Sequence, residues 1–253
     1  MSGDVHVRFC EGLRGWFPRA TRLLIFTDQN DSFYIEKEVE SLLSEYDLDL
    51  NDSKTECKLI DQNFEYLGYA ISKEKTSIKE ANIERFITSI AAKFSSYLHN
   101  TDQRRKKYPW LNKETQKTVF LEDLNEKITG AIDENRRYGW IFYFLEISDM
   151  SLLHKLDNII ESFFKRLNDF KNKSPENLKK LSKAFYKAKY DPFGGYIHNY
   201  SEYDTIKQKL KYLGNRGHIN PKGKYKIEDI EAIFARVKRR HLNDLDLDVG
   251  ITS

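Results

Sequence analysis

The run Leu23-Leu24-Ile25-Phe26-Thr27 constrains this chain more than any other stretch. It is too short for a stable helix, rich in β-formers, and closed by the polar turn Asp28-Gln29-Asn30-Asp31, so it predicts a buried strand. The period then changes. Ile35, Val39, Leu42 and Leu43 fall on one face of a 3.6-residue repeat and predict an amphipathic helix over about residues 33 to 46. Beyond Leu48-Asp49-Leu50, the segment from Asn51 to Leu59 reads as a turn followed by a short strand, and Phe64 to Ile71 as a hairpin.

In that order, a strand, a helix, LDLNDSKTECKL and FEYLGYAIS resemble the C-terminal palm of bacterial reverse transcriptases of the retron, abortive-infection and group II intron kind. The resemblance implies an α+β fold: a partial polymerase palm with a short antiparallel sheet and a helix, then a mostly helical thumb and C-terminal region. It divides the chain into a non-family leader (1–22), a palm fragment with a primer-grip hairpin (23–72), a thumb helix (73–108) and a mostly helical C-terminal region (109–253). It implies that Lys54 lies near the incoming nucleotide, that Leu67, Gly68 and Tyr69 grip the primer strand, and that the partner is RNA or an RNA–DNA duplex.

One departure decides what activity to expect. Placing Leu23–Thr27 on the family strand sets Arg19-Ala20-Thr21-Arg22 where the family carries Tyr-Ala-Asp-Asp. Two-metal phosphoryl transfer needs carboxylates to hold two Mg²⁺ ions about 4 Å apart, because those ions carry the attacking and leaving oxygens. Thr21 offers a neutral oxygen, and Arg22 puts a cation where a cation should bind. Asp28 lies six strand residues beyond Arg22, about 20 Å along an extended chain. The family's third metal-binding aspartate belongs upstream of this segment. The expectation is therefore no catalytic or metal-binding residue in this chain and no cofactor bound by it alone, with Mg²⁺ reserved for the intact family enzyme. An upstream palm and fingers polypeptide is the candidate partner that would complete the site.

Composition limits the alternatives. The chain has 253 residues, 40% of them hydrophobic and 32% charged, enough to bury a core, and its mean hydropathy of −0.68 is that of a polar, helix-rich protein. No apolar run approaches the roughly 18 residues that span a bilayer, and no signal-peptide core opens the chain. A cytoplasmic protein without a membrane partner is expected. Cys10 and Cys57 have neither disulfide-scaffold nor zinc-site spacing, and the scattered histidines suggest no hydrolase or metal centre. The net charge of +3 conceals an asymmetry: from Asp28 to Glu65 twelve acids face three lysines, a balance of −9, which leaves +12 for the remainder. That suits an acidic palm flank and a basic, phosphate-facing remainder, although lysines also serve only to solvate helices.

The first 22 residues show no helical or strand period to this reading, with Gly12, Gly15 and Pro18 interrupting them. They are expected to be a disordered arm or a foreign leader left by a frameshift, an internal start or a truncation. After the hairpin, Ser77 and Glu80 have capping-box spacing, and Ile83, Phe86, Ile87, Ile90 and Phe94 make a helical stripe reaching Leu98. By resemblance this is the first thumb helix, with Arg85 toward nucleic acid; a plain packing helix explains the stripe equally well. Arg104, Arg105, Lys106 and Lys107 precede Tyr108-Pro109-Trp110, cations beside rings that suit nucleic acid or a solvated linker.

A helix is expected from Leu121 to Ile132. Ile141–Ile147 is a strand by propensity, with a buried aromatic helix as the competing reading. A further helix is capped by Asp149 and runs to Phe164. RYGWIFYF and LLHKLD extend the resemblance loosely to about Arg166. Ser174-Pro175-Glu176 reads as a helix start, Asp191–Tyr196 as a turn, Ile206–Leu213 as a helix, and Ile227–Val237 as a helix ending in Lys238-Arg239-Arg240-His241. Asp244, Asp246 and Asp248 imitate a calcium loop without its glycine or closing glutamate. A helical nucleic-acid-binding or protein-interaction module, a pseudoenzyme, is the alternative function.

Overall fold

A computed structural model describes residues 5–11, 22–28, 31–51, 55–59 and 62–247. The fold is α+β and mostly helical. It divides into two compact units, the first ending at Lys79 and the second beginning at Glu80.

The first unit opens on a three-stranded antiparallel sheet. Strand β1 (Val5–Glu11) is its middle, hydrogen-bonded to β2 (Arg22–Asp28) on one side and β3 (Thr55–Leu59) on the other. Val7 pairs with Phe26 and with Lys58, and Phe9 with Leu24 and with Glu56. This corrects the expectation of a structureless leader. Val5, Val7 and Phe9 alternate with His6, Arg8 and Cys10, the two-residue period of a strand, and seven residues of it suffice when both neighbours supply ladder partners.

Helix α1 (Ser32–Ser44) follows β2 as expected. Its Ile35, Val39 and Leu43 are only half-buried, while Phe33, Tyr34, Leu42 and, just beyond its end, Tyr46 are exposed. A second small sheet has the order β4 (Phe64–Tyr66), β5 (Tyr69–Ile71), β6 (Thr76–Ile78), all antiparallel. Leu24, Tyr66 and Ile71 pack on buried Phe64. Ser77 therefore pairs with Ala70 inside a strand instead of capping a helix. The capping-box pattern misled because β-pairing satisfies the backbone of Ser77 before helix α2 (Glu80–Lys107) begins.

The second unit is helical around an aromatic core. Phe86 and Ile90 of α2 are fully buried, each worth about 1.5–3 kcal/mol of transfer free energy. Phe86 stacks on Trp140 at 4.4 Å, and Phe94 meets Phe120 and Phe164 edge-on at 5.1 and 5.0 Å. The helical stripe read in the sequence is thus the inner face of α2, and the helix runs nine residues past Leu98, taking the basic cluster into its last turns. Helix α3 (Lys113–Thr129) starts eight residues before the expected position because Asn112 caps it, accepting from the Thr115 amide at 2.8 Å. It ends at Gly130, whose φ of +67° no β-branched residue would adopt cheaply and whose missing side chain lets the Tyr138 carbonyl approach.

Ile132 belongs to strand β7 (Ala131–Asp133), which pairs with β8 (Arg136–Tyr138) antiparallel and β9 (His198–Asn199) parallel. The aromatic segment that propensity assigned to a strand is one helical turn, α4 (Trp140–Tyr143), since burial of Trp140, Ile141 and Phe144 outweighs β-propensity. Helix α5 (Met150–Phe163) is capped by Asp149, as read from the sequence.

Helix α6 (Leu181–Tyr190) starts well after Ser174, which lies in irregular chain. Its start is fixed by α5: the buried Asp157 carboxylate accepts from the Leu181 amide (2.5 Å), the Ser182 amide (3.2 Å) and the Ser182 hydroxyl (2.6 Å), an N-terminal cap supplied from another element. Helix α7 (Ile206–Asn215) carries a complete capping box from Thr205 and Gln208. Helix α8 (Ile227–Leu247) continues ten residues beyond Val237, because Leu242 and Leu245 extend its buried stripe. Arg239, Arg240 and His241 are consequently helix interior, not a dipole-compensating end. Asp244 and Asp246 are helical as well.

Candidate nucleic-acid interface and a polar cavity

In the first unit, the hairpin between β4 and β5 closes with Leu67 and Gly68, both in the left-handed region at φ +48° and +84°. Two consecutive positive φ values are those of the tight turn that matches strand twist, where Asn-Gly is the usual pair. A leucine there carries backbone strain of order 1 kcal/mol, and its side chain is exposed. Tyr69 pairs with Tyr66 across the hairpin and with Ile78 on the other side. The Lys79 amide donates to the Gly68 carbonyl at 2.9 Å and its ammonium pairs with Glu65 at 2.5 Å. Leu67, Gly68 and Tyr69 are thus brought to one hairpin tip, as the sequence reading had them.

Arg22 opens β2. Thr21 and Lys54 lie outside the described residues. In the second unit, Arg85 is exposed on the outer face of α2, its guanidinium donating to Asn82 at 3.2 Å. Arg104, Arg105, Lys106 and Lys107 all fall in the last turns of α2, and Lys106 is exposed. Cations near a helix C-terminus offset its dipole.

Sequence reasoning missed a polar cavity of about 440 Å³ inside the second unit, bordered by α3, α7 and the chain around β9. At its base Arg216, only 4% exposed, binds three carboxylates of one α3 face: Glu122 at 3.1 Å, Glu126 at 2.6 Å, and Asp123. Spacings of three and four residues set Asp123 and Glu122 beside Glu126 on the helix. Glu126 also accepts from the Tyr200 hydroxyl at 2.6 Å, and Tyr200 lies 3.1 Å from the Tyr212 hydroxyl and 3.3 Å from His241 Nδ1.

Burial alone would raise the Glu126 carboxyl, but Arg216 and the hydrogen bond from His241 hold it far below the usual carboxylate range. Burial would likewise depress Arg216, yet Glu126 and Asp123 keep its guanidinium firmly protonated. Glu122 is raised, because burial outweighs its attraction to Arg216. Burial also depresses Lys179, whose ammonium donates to the Tyr196 carbonyl.

His198, ringed by Tyr200, Tyr203 and Tyr212 at 4.4 to 5.7 Å, is pushed down to about 4 by burial, and its shielded Nε2 has no hydrogen-bond partner among the described residues. The imidazole is therefore neutral near pH 7. Burial raises the Tyr203 phenol to about 12. Chemically Glu126, Asp123 and Arg216 neutralise one another, while Glu122 and Lys179 remain at the cavity wall with shifted affinities for the proton. The signal that could have found them, Glu122, Asp123 and Glu126 on one helical face, was visible only as part of a solvated helix.

No group of histidine, cysteine or acidic residues with metal-binding geometry occurs among the described residues, and no described helix is long and apolar enough to cross a membrane. The chain matches no family model, and comparison with curated proteins and with solved structures yields no match either.

Proposed function

We propose that this chain is the palm edge, thumb and C-terminal region of an RNA-directed DNA polymerase of the bacterial defence or mobile-element type, holding primer and template without performing phosphoryl transfer alone. The observation that carries the reading is the hairpin tip. Leu67 is exposed in a conformation that Asn or Gly would adopt at lower cost, and strain retained at an exposed position is a mark of functional use. A leucine and a backbone turn suit contact with a sugar–phosphate strand, the role that Leu67, Gly68 and Tyr69 have in the family it resembles.

Two further features support the reading. The order β2, α1, β3, hairpin is the one that the resemblance requires. The exposed rings Phe33 and Tyr34 at the start of α1, 6.2 Å apart, are apolar area that an upstream palm and fingers polypeptide would cover. Mg²⁺ would be held by carboxylates of that polypeptide, with Lys54 of this chain facing the nucleotide.

The test is binding of the full chain to an RNA–DNA duplex between about 50 and 200 mM salt. Contacts to phosphate by Arg85, Lys106 and their neighbours require a steep, log-linear loss of affinity, and neutralising either residue should lower the slope by about one. Salt-independent binding, or none, refutes the proposal. Adding the upstream polypeptide and assaying RNA-templated DNA synthesis distinguishes a completed enzyme from a binding-only chain.

A further inference from the structure

Helix α6 has two distinct faces. Leu181, Ala184, Phe185 and Ala188 point into the core. On the outer face Lys183, Tyr186, Lys187 and Tyr190 follow one another at spacings of three, one and three, so cations and rings alternate along a single line. Tyr186 is 51% exposed and Tyr190 72%, and Phe193, in the turn beyond the helix, is 62% exposed. Three large rings in water within eight residues carry an area cost that packing in this unit does not offset.

We propose that this face of α6 is a stacking platform for single-stranded nucleic acid. The inference rests on the nucleic-acid reading above but concerns a different surface and a different form of ligand. The ring geometry is specific. Tyr186 and Tyr190 are nearly parallel, 22° apart, with centroids separated by 6.4 Å. That lies within the range of ordinary ring-on-ring contacts, so the two exposed rings form one aromatic strip on which a base can stack.

The charges fit the same partner. Lys183 has no carboxylate partner among the described residues and lies over the Tyr196 ring at 4.8 Å. Lys189 donates to the Leu145 carbonyl at 3.2 Å and lies over the Phe185 ring at 5.6 Å. Lys187 is paired with Asp191 at 2.6 Å in a half-exposed contact, the kind of pair that yields easily to phosphate. Rings for bases and solvent-facing ammonium groups for the backbone are the two parts of sequence-tolerant single-strand binding.

The experiment uses the full chain and a labelled oligouridine of about a dozen nucleotides, with an RNA–DNA duplex in parallel. The wild-type chain should bind the single strand with quenching of tyrosine fluorescence. Tyr186→Ala and Tyr190→Ala should each weaken it about 10-fold or more, whereas the Phe variants should retain it. Lys183→Gln should lower the salt slope by about one. Duplex affinity should not change in any of these variants, and their exposed positions leave the thermal melt near that of the wild type.

Equal single-strand affinity of the wild type and the Ala variants overturns the proposal. So does a wild type that binds duplex but not oligouridine, which leaves the duplex reading standing. Loss of both ligands by the wild type sinks both. Tyrosine-dependent binding to anionic phosphatidylserine vesicles, with no binding to oligouridine, reassigns the face to a membrane surface and refutes the nucleic-acid partner.

Discussion

Replacing His198 with Phe separates the electrostatics of the cavity from its packing. The imidazole makes ring contacts with Tyr200, Tyr203 and Tyr212, and its buried Nε2 has no hydrogen-bond partner among the described residues for a phenyl group to lose. Among the groups around it, Glu126 favours its protonated form, while Arg216, Lys179 and His241 oppose it, and burial dominates. Its folded pKa of about 4 lies below the ordinary 6.5, so between those values the unfolded chain binds the additional proton. Stability tied to this residue is complete above pH 6.5 and is lost as pH falls toward 4. At about 1.4 kcal/mol per pH unit, the whole interval is worth about 3 kcal/mol, an upper figure because the ring keeps some exposure.

Urea unfolding of wild type and His198→Phe at pH 7.5 and 4.5 measures it. The wild type should lose about 2 kcal/mol more than the variant on acidification. The carboxylates common to both proteins cancel in that difference. The Arg216–Glu126 pair persists throughout, because a carboxyl held so low gives up its contribution only in stronger acid. Parallel losses in the two proteins would refute the account of a buried neutral imidazole.

Two other perturbations test separate parts of the structure. Arg216→Met leaves Glu126 buried without its cation and should cost about 3–5 kcal/mol in denaturant unfolding; a loss below about 1 kcal/mol would show that the network holds little together. Leu67→Asn relieves the left-handed strain and should stabilise the first unit by about 0.5–1 kcal/mol while weakening RNA–DNA duplex binding; stronger binding would count against a gripping role for the leucine.

What could be read from the sequence, and what could not, divides along a physical line. Strand β2, helix α1 and the Leu67–Gly68 hairpin were legible because each is specified by contiguous residues: an apolar run, a 3.6-residue stripe, a turn pair. The Asp149 cap was legible for the same reason. The Arg216 cluster was not, since its members come from α3, the end of α7, the chain after β9 and α8, and no local pattern records that they meet. The start of α6 escaped because its cap is Asp157, 24 residues upstream of Leu181. Ser77 was misread where strand pairing overrode a local capping pattern, and at Trp140 the buried aromatic helix, one of the two readings left open, prevailed over β-propensity.

The central position of β1 sets how the first unit tolerates change. Residues 5–11 supply ladder partners to strands on both flanks, so a boundary drawn at residue 22 would sever the first sheet through its middle and strand two edges in water. A change in the length or register of β1 is therefore felt by both flanking strands at once, and the three segments can vary only together.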